Sequence, residues 1–223
     1  MLAIAGGKGG SGKTTTTLGV ARAVDGPSLA VDADCDLPNL HALAGVPRDA
    51  PAGGLGHPDP STNGDRTRIV PAPRDAPDGI GGRLRRLRAR ERRCSIARSS
   101  THPAVDEFSG HDTDGGDAEA VLVDCPAGAG PDATVPLRVA DGVLVVATPC
   151  VAALRDAAKT AAMARAVGTP VVGGVLTRAR LVPPGVEDLL GCRVLATVPD
   201  ARDPLENPSV RRAYDDLAVR LFD

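Results

Sequence analysis

The stretch Gly7-Lys8-Gly9-Gly10-Ser11-Gly12-Lys13-Thr14 follows the short apolar run Leu2 to Ala5 and opens a helix-forming segment from Lys13 onward. A strand that ends in Gly-x-x-x-x-Gly-Lys-Thr and turns directly into a helix leaves a row of backbone N–H groups at the positive end of the helix dipole. Glycine is needed because a Cβ would hold the backbone away from phosphate oxygens. In such a P-loop Lys13 reaches the β- and γ-phosphates of a nucleoside triphosphate, and the Thr14 hydroxyl faces Mg²⁺. Gly7, Lys8, Gly9, Gly10, Ser11, Gly12 and Thr15 complete the expected phosphate cradle. The loop also constrains the fold, since it requires a strand behind it and a helix in front of it.

The rest of the chain repeats that unit. Apolar runs at Leu2 to Ala5, Ser28 to Ala33, Arg68 to Pro71, Ala120 to Asp124, Gly142 to Thr148, Val171 to Thr177 and Arg193 to Val198 read as strands. Helical stretches fall between them, at Lys13 to Val24, Ile80 to Ala97, Ala133 to Ala140, Ala152 to Val167, Val186 to Leu190 and Ser209 to Leu221. This alternation is the signature of a parallel sheet covered on both faces. The expected fold is α/β, a single-domain P-loop NTPase with a mostly parallel twisted sheet of about seven strands and helices on both faces. A chain of 223 residues with 42% hydrophobic content supports one domain over 1–223. Two segments interrupt the rhythm: Pro47 to Arg66 with four prolines, and the polar Ser99 to Gly116. Both read as long surface loops, so 47–116 is expected to be an irregular, loop-rich insert region.

Composition removes several classes of function. The formal net charge of -2 excludes a generally basic surface, and a 1% aromatic content without Trp leaves no stacking platform for single-stranded nucleic acid. The five cysteines show no C-x-x-C spacing, which excludes a zinc knuckle and a disulfide framework. No basic leader precedes a long apolar run, and no stretch approaches the roughly 20 apolar residues of a membrane span. The expected location is the cytoplasm.

Two strands end in carboxylates. In Val31-Asp32-Ala33-Asp34, alternation puts Asp32 and Asp34 on one side, at the carboxyl end where open α/β sheets bind ligands. The alternative role for these acids is to cap the helix that follows. Ala120-Val121-Leu122-Val123-Asp124 is an apolar run closed by an acid, the Walker B arrangement, in which Asp124 holds Mg²⁺.

Lys8 adds a second lysine near the start of the loop, and Gly-Lys-Gly-Gly-Ser-Gly-Lys-Thr-Thr resembles the deviant Walker A motif of the MinD/ParA family of dimerising ATPases. Asp124-Cys125-Pro126-Ala127-Gly128 and the order Thr148-Pro149, then Arg155-Asp156, resemble further motifs of that family. The resemblance spans about Leu2 to Leu221 apart from 47–116. It implies ATP and Mg²⁺ as cofactors, slow ATP hydrolysis and an ATP-dependent homodimer in which Lys8 crosses to the partner's nucleotide. Carried over by position, Lys8, Lys13 and Asp34 are catalytic, with Asp34 orienting the attacking water. Thr14, Asp32 and Asp124 serve the metal, Gly128 falls in a γ-phosphate switch, and Asn39 lies beside the nucleotide. The base pocket would be formed by Thr177, Arg178, Pro199 and Asp200. Thr177 departs from the Asn common in the family and lacks the two-pronged edge of an amide.

The resemblance further implies a role in spatial positioning, cell division or chromosome or plasmid partitioning, with an activating protein partner. Two alternatives stand beside it: a metallocofactor-assembly or carrier ATPase of the same superfamily, and a nucleotide-sensing module without turnover. Arg83 to Arg93 holds seven arginines in eleven positions and offers a surface for non-specific DNA phosphates. A solvated helix face with Leu84 and Leu87 turned inward is the alternative, favoured by the mild net charge. The C-terminal stripe Val210, Ala213, Tyr214, Leu217, Ala218 and Leu221 reads as a helix docked on the core, and membrane binding is not expected.

Overall fold

Strands and helices alternate along the chain as β1 (Leu2–Ala5), α1 (Lys13–Ala23), β2 (Ser28–Asp32), α2 (Leu40–Leu43), β3 (Thr67–Val70), α3 (Gly79–Ser99) and β4 (Ala120–Asp124). The second half continues with α4 (Pro131–Val139), β5 (Gly142–Ala147), α5 (Val151–Ala166), β6 (Val171–Thr177), α6 (Val186–Leu190), β7 (Val194–Val198) and α7 (Pro208–Phe222). The computed structural model describes residues 1–48, 67–73, 79–99, 120–128 and 130–222, the side chains of 90–99 and 131 excepted. The two loops expected at Pro47 to Arg66 and Ser99 to Gly116 therefore lie almost wholly outside the described residues.

All seven strands form one parallel sheet in the order β3-β2-β4-β1-β5-β6-β7. The chain winds outward from β1 to β2 and β3, returns to insert β4 beside β1, and then builds β5 to β7 on the other side. The crevice at the carboxyl ends beside β1 is thus a topological switch point, the place where such sheets bind ligands. Register puts Asp124 level with Asp32 on one neighbour and with Ile4 on the other, which brings both acids to the root of the loop.

Side-chain alternation divides the strands between two cores. Ala3, Ala5, Leu29, Val31, Val121, Val123, Val143 and Val145 pack on one face, with Leu84 of α3, Leu137 of α4 and Leu154 of α5. Leu2, Ile4, Ala30, Leu122, Leu144 and Val146 pack on the other, with Leu18 of α1 and Tyr214 and Leu217 of α7. In α5 the buried Ala153, Ala157, Ala161 and Ala164 form a stripe of small side chains that lets this helix lie close to the sheet. On the opposite face the Tyr214 hydroxyl lies 3.4 Å from the Thr16 hydroxyl, joining α7 to the helix that leaves the loop.

The expected elements are all found, with ends displaced by one or two residues. The single turn α2 was not expected, because four residues are too few to show a helical period. β2 stops at Asp32, although the Ala33 N–H still donates to the Asp124 carbonyl at 2.9 Å. Among the described residues no helix is long and apolar enough to cross a membrane.

Candidate functional site

The loop between β1 and α1 is shaped by backbone conformations that only glycine adopts easily. Gly12, with φ 89°, is the N-cap of α1, and no side chain caps the helix, so its first N–H groups remain directed at the loop. At Gly7 the reason is proximity: a Cβ there would lie 2.4 Å from the Cβ and the carbonyl oxygen of Asp156 in α5. Among the described residues nothing would meet a Cβ at Gly9 or Gly10 within 4 Å.

The two lysines of the loop point to different places. Lys13 is buried, and its Nζ donates across the loop to the Lys8 carbonyl at 3.4 Å. The Lys8 side chain is exposed. The Ser11 Oγ is buried and has no hydrogen-bond partner among the described residues. An orphaned hydroxyl, an inward ammonium with one weak carbonyl contact and an uncapped helix terminus are what a bound polyphosphate would satisfy. The loop therefore fits the triphosphate.

The acids converge at the same point. Asp124 is buried and receives a hydrogen bond from Thr14, and the Thr17 Oγ1 lies 3.5 Å from its Oδ1. Thr17 also donates to the Lys13 carbonyl at 3.0 Å, the i to i+4 bond of a helical Thr. Burial pushes the Asp124 carboxyl up to about 7; Asp32 adds to the rise, while Thr14 and Lys13 oppose it. Asp32 is fully buried and is pushed to about 6, again chiefly by burial, against backbone N–H donors that favour its charged form. Those donors are Asp34 at 3.0 Å and Leu40 at 3.2 Å, with Asn39 contributing. Asp34 is half-buried and accepts the Leu37 N–H at 3.0 Å. Asp32 thus orders the segment that carries Asp34. Among the described residues no group of three or more His, Cys, Asp or Glu could hold a metal by itself. One hydroxyl and one or two carboxylates suit Mg²⁺, which completes its octahedron with phosphate oxygens and water.

A pH effect follows. With both carboxyl groups raised, the folded protein holds these protons more tightly than the unfolded chain does. Their contribution to stability is fully present below about pH 4 and is lost as pH rises through about 6 and 7. The Tm of the metal-free protein is expected to fall from pH 5 to 8, and Asp124→Asn to flatten that fall. Equal slopes for the two proteins in thermal unfolding would refute the assignment.

Other residues named from sequence are spread along the carboxyl edge. Thr177 is buried at the end of β6, and its hydroxyl donates to the Ser11 carbonyl at 2.7 Å. Arg178 follows with φ 54°, and its exposed guanidinium stands 3.8 Å from Asp200. Pro199 is half-buried, and Asn39 is the exposed N-cap of α2 without a side-chain cap bond. Cys125 is buried, which pushes its thiol far up and keeps it protonated. In α3, Leu84 is buried and Leu87 packs against the core, as the inward-facing reading expects. Arg83 donates to the Pro71 carbonyl, and Arg88 pairs with Asp141. Arg85 and Arg88 line a cleft of about 390 Å³ with Arg138. Sequence reasoning missed Thr17, whose spacing from Lys13 could have revealed it, and the packing of Asp156 on Gly7, which no local signal announces.

Residues 2–209 match the family model for the CobQ/CobB/MinD/ParA nucleotide binding domain. An uncharacterized ATP-binding protein of Methanocaldococcus jannaschii is 30% identical over 230 residues, covering 95% of this chain and 76% of that protein. A putative septum site-determining protein MinD of Emiliania huxleyi is 28% identical over 213 residues, covering 90% of this chain and 74% of its own. Among solved structures, MinD complexed with Mg-ADP from Pyrococcus horikoshii has a TM-score of 0.66 at 23% identity, over 99% of this chain and 94% of that one. MinD of Aquifex aeolicus has a TM-score of 0.71 at 20% identity, over 99% and 95%. The structural likenesses bear on the fold, a single P-loop NTPase domain, and the sequence matches carry the rest. This chain belongs to the MinD/ParA family of deviant Walker A P-loop ATPases.

Proposed function

We propose that the protein is an ATP-dependent dimerising switch that hydrolyses ATP slowly with Mg²⁺ and serves a spatial task such as cell division or chromosome or plasmid partitioning. The observation that supports it best is the division between the lysines: Lys13 is turned into its own loop, while Lys8 leaves the same loop exposed. A second cation facing outward from a phosphate site suits the nucleotide of another copy of the chain.

In this reading Lys13 and the loop N–H groups hold the phosphates, Thr14, Asp124 and Asp32 surround Mg²⁺, and Asp34 orients water. Asn39, Arg178, Pro199 and Asp200 flank the base. Mg²⁺ supplies charge neutralisation between the phosphates when bound. An activating protein partner sets the rate.

The test is molar mass in solution by light scattering, with hydrolysis measured in parallel with and without DNA duplex or lipid vesicles. Wild-type protein is expected to double its mass with ATP and Mg²⁺ and not with ADP. Lys8→Ala is expected to bind ATP and stay monomeric. A wild-type protein that binds ATP without changing mass would contradict the dimer.

A further inference from the structure

We propose that Thr177 is a positioning residue for the phosphate loop: its hydroxyl holds the Ser11–Gly12 peptide in the orientation that aims the Gly12 N–H at a phosphate. A threonine hydroxyl has a single proton to donate. Here that proton goes to the Ser11 carbonyl at 2.7 Å, with the Ala147 carbonyl a distant second acceptor at 3.4 Å. The carbonyl of Ser11 and the N–H of Gly12 belong to one planar peptide unit, so fixing the first fixes the direction of the second. That control matters at this bond, because Gly12 sits at φ 89° and glycine by itself resists few rotations. The Thr177 methyl lies against the same residue, 3.0 Å from where a Gly12 Cβ would stand.

Thr177 is itself held on both sides. Leu176 pairs with Ala147 of β5, and Thr177 pairs with Val198 of β7. Arg178 then turns the chain through a left-handed conformation, after which the Ala179 N–H donates to the Val198 carbonyl at 3.0 Å. The lock is therefore built on the sheet and is buried from solvent, the arrangement that keeps a binding site within tight geometric limits. It also spends the one donor that Thr177 has, so this residue acts on the loop and does not donate to the base.

The nucleotide arm of the test rests on ATP being the ligand proposed above; the other arm does not. Thr177→Ala and Thr177→Ser both remove the methyl group and differ from each other by the hydroxyl. Hydrogen exchange of the nucleotide-free protein is expected to speed up about tenfold across Gly6 to Thr14 in the Ala variant, with the Ser variant close to wild type. ATP affinity is expected to fall about tenfold in the Ala variant, the size of one hydrogen bond to a charged group, with kcat at saturating ATP within about threefold. The Ser variant restores affinity. Equal loop exchange in the Ala and Ser variants, or wild-type exchange in the Ala variant, overturns the proposal. If wild-type protein binds no ATP while the two variants still differ in loop exchange, the positioning role stands and the ATP reading fails.

Discussion

Lys13→Ala is expected to weaken ATP binding by about two to three orders of magnitude without unfolding the protein. Truncating one partner of a desolvated, hydrogen-bonded charge pair costs about 2–5 kcal/mol, and each 1.4 kcal/mol is about tenfold in affinity. Lys13 would form such a pair with the phosphates. Among the described residues its ammonium donates only to the Lys8 carbonyl, at 3.4 Å, so alanine leaves no described buried acid stranded next to it except Asp124, whose carboxyl is already raised by burial. Equilibrium titration with a fluorescent ATP analogue, beside a thermal melt, measures both halves of the expectation. An affinity within about threefold of wild type would show that Lys13 does not touch the phosphates.

The second large effect is expected at Asp34, on rate and not on binding. A positioned group that orients or activates water contributes about 10²- to 10⁴-fold, so Asp34→Asn should slow hydrolysis by at least about a hundredfold. Asparagine is the sharper test because its amide oxygen can still accept the Leu37 N–H that the Asp34 carboxylate accepts at 3.0 Å. The segment from Asp34 to Leu40 is then preserved, held also by the two N–H groups that Asp32 receives. With ATP bound and turnover stopped, the dimer should accumulate. Single-turnover hydrolysis and light scattering read the two effects, and wild-type turnover in the Asn variant would remove Asp34 from the role.

Much of this was legible in the chain. The Gly-rich loop named its own strand and helix, and the Val and Leu runs announced the strands because a sheet buried on both faces needs apolar side chains at every position. The acids were legible as strand ends. What their spacing did not reveal was how they hold the backbone: Asp32 and Asp34 both take backbone N–H groups of the segment leading into α2, the capping role weighed against a chemical one. Capping leaves room for the chemical role proposed above, since a carboxylate has more than one lone pair to offer. Thr177 was less legible. Its residue type departs from the Asn common at that position in the family, while its hydrogen bond to Ser11, 166 residues away, depends on β6 lying two strands from β1.

The sequence by itself determined the loop, the alternation of elements and the family, because these are written in local spacing and residue type. The tertiary structure decided which of those local features meet. Alternation cannot say that β4 inserts between β2 and β1, yet that order brings Asp124 level with Asp32 and under Thr14. Nor can it say that α5 closes on Gly7 or that Thr177 reaches Ser11. Such contacts are set by strand order and register, which bury the apolar surface of the whole chain at once, and no window of neighbouring residues contains that information.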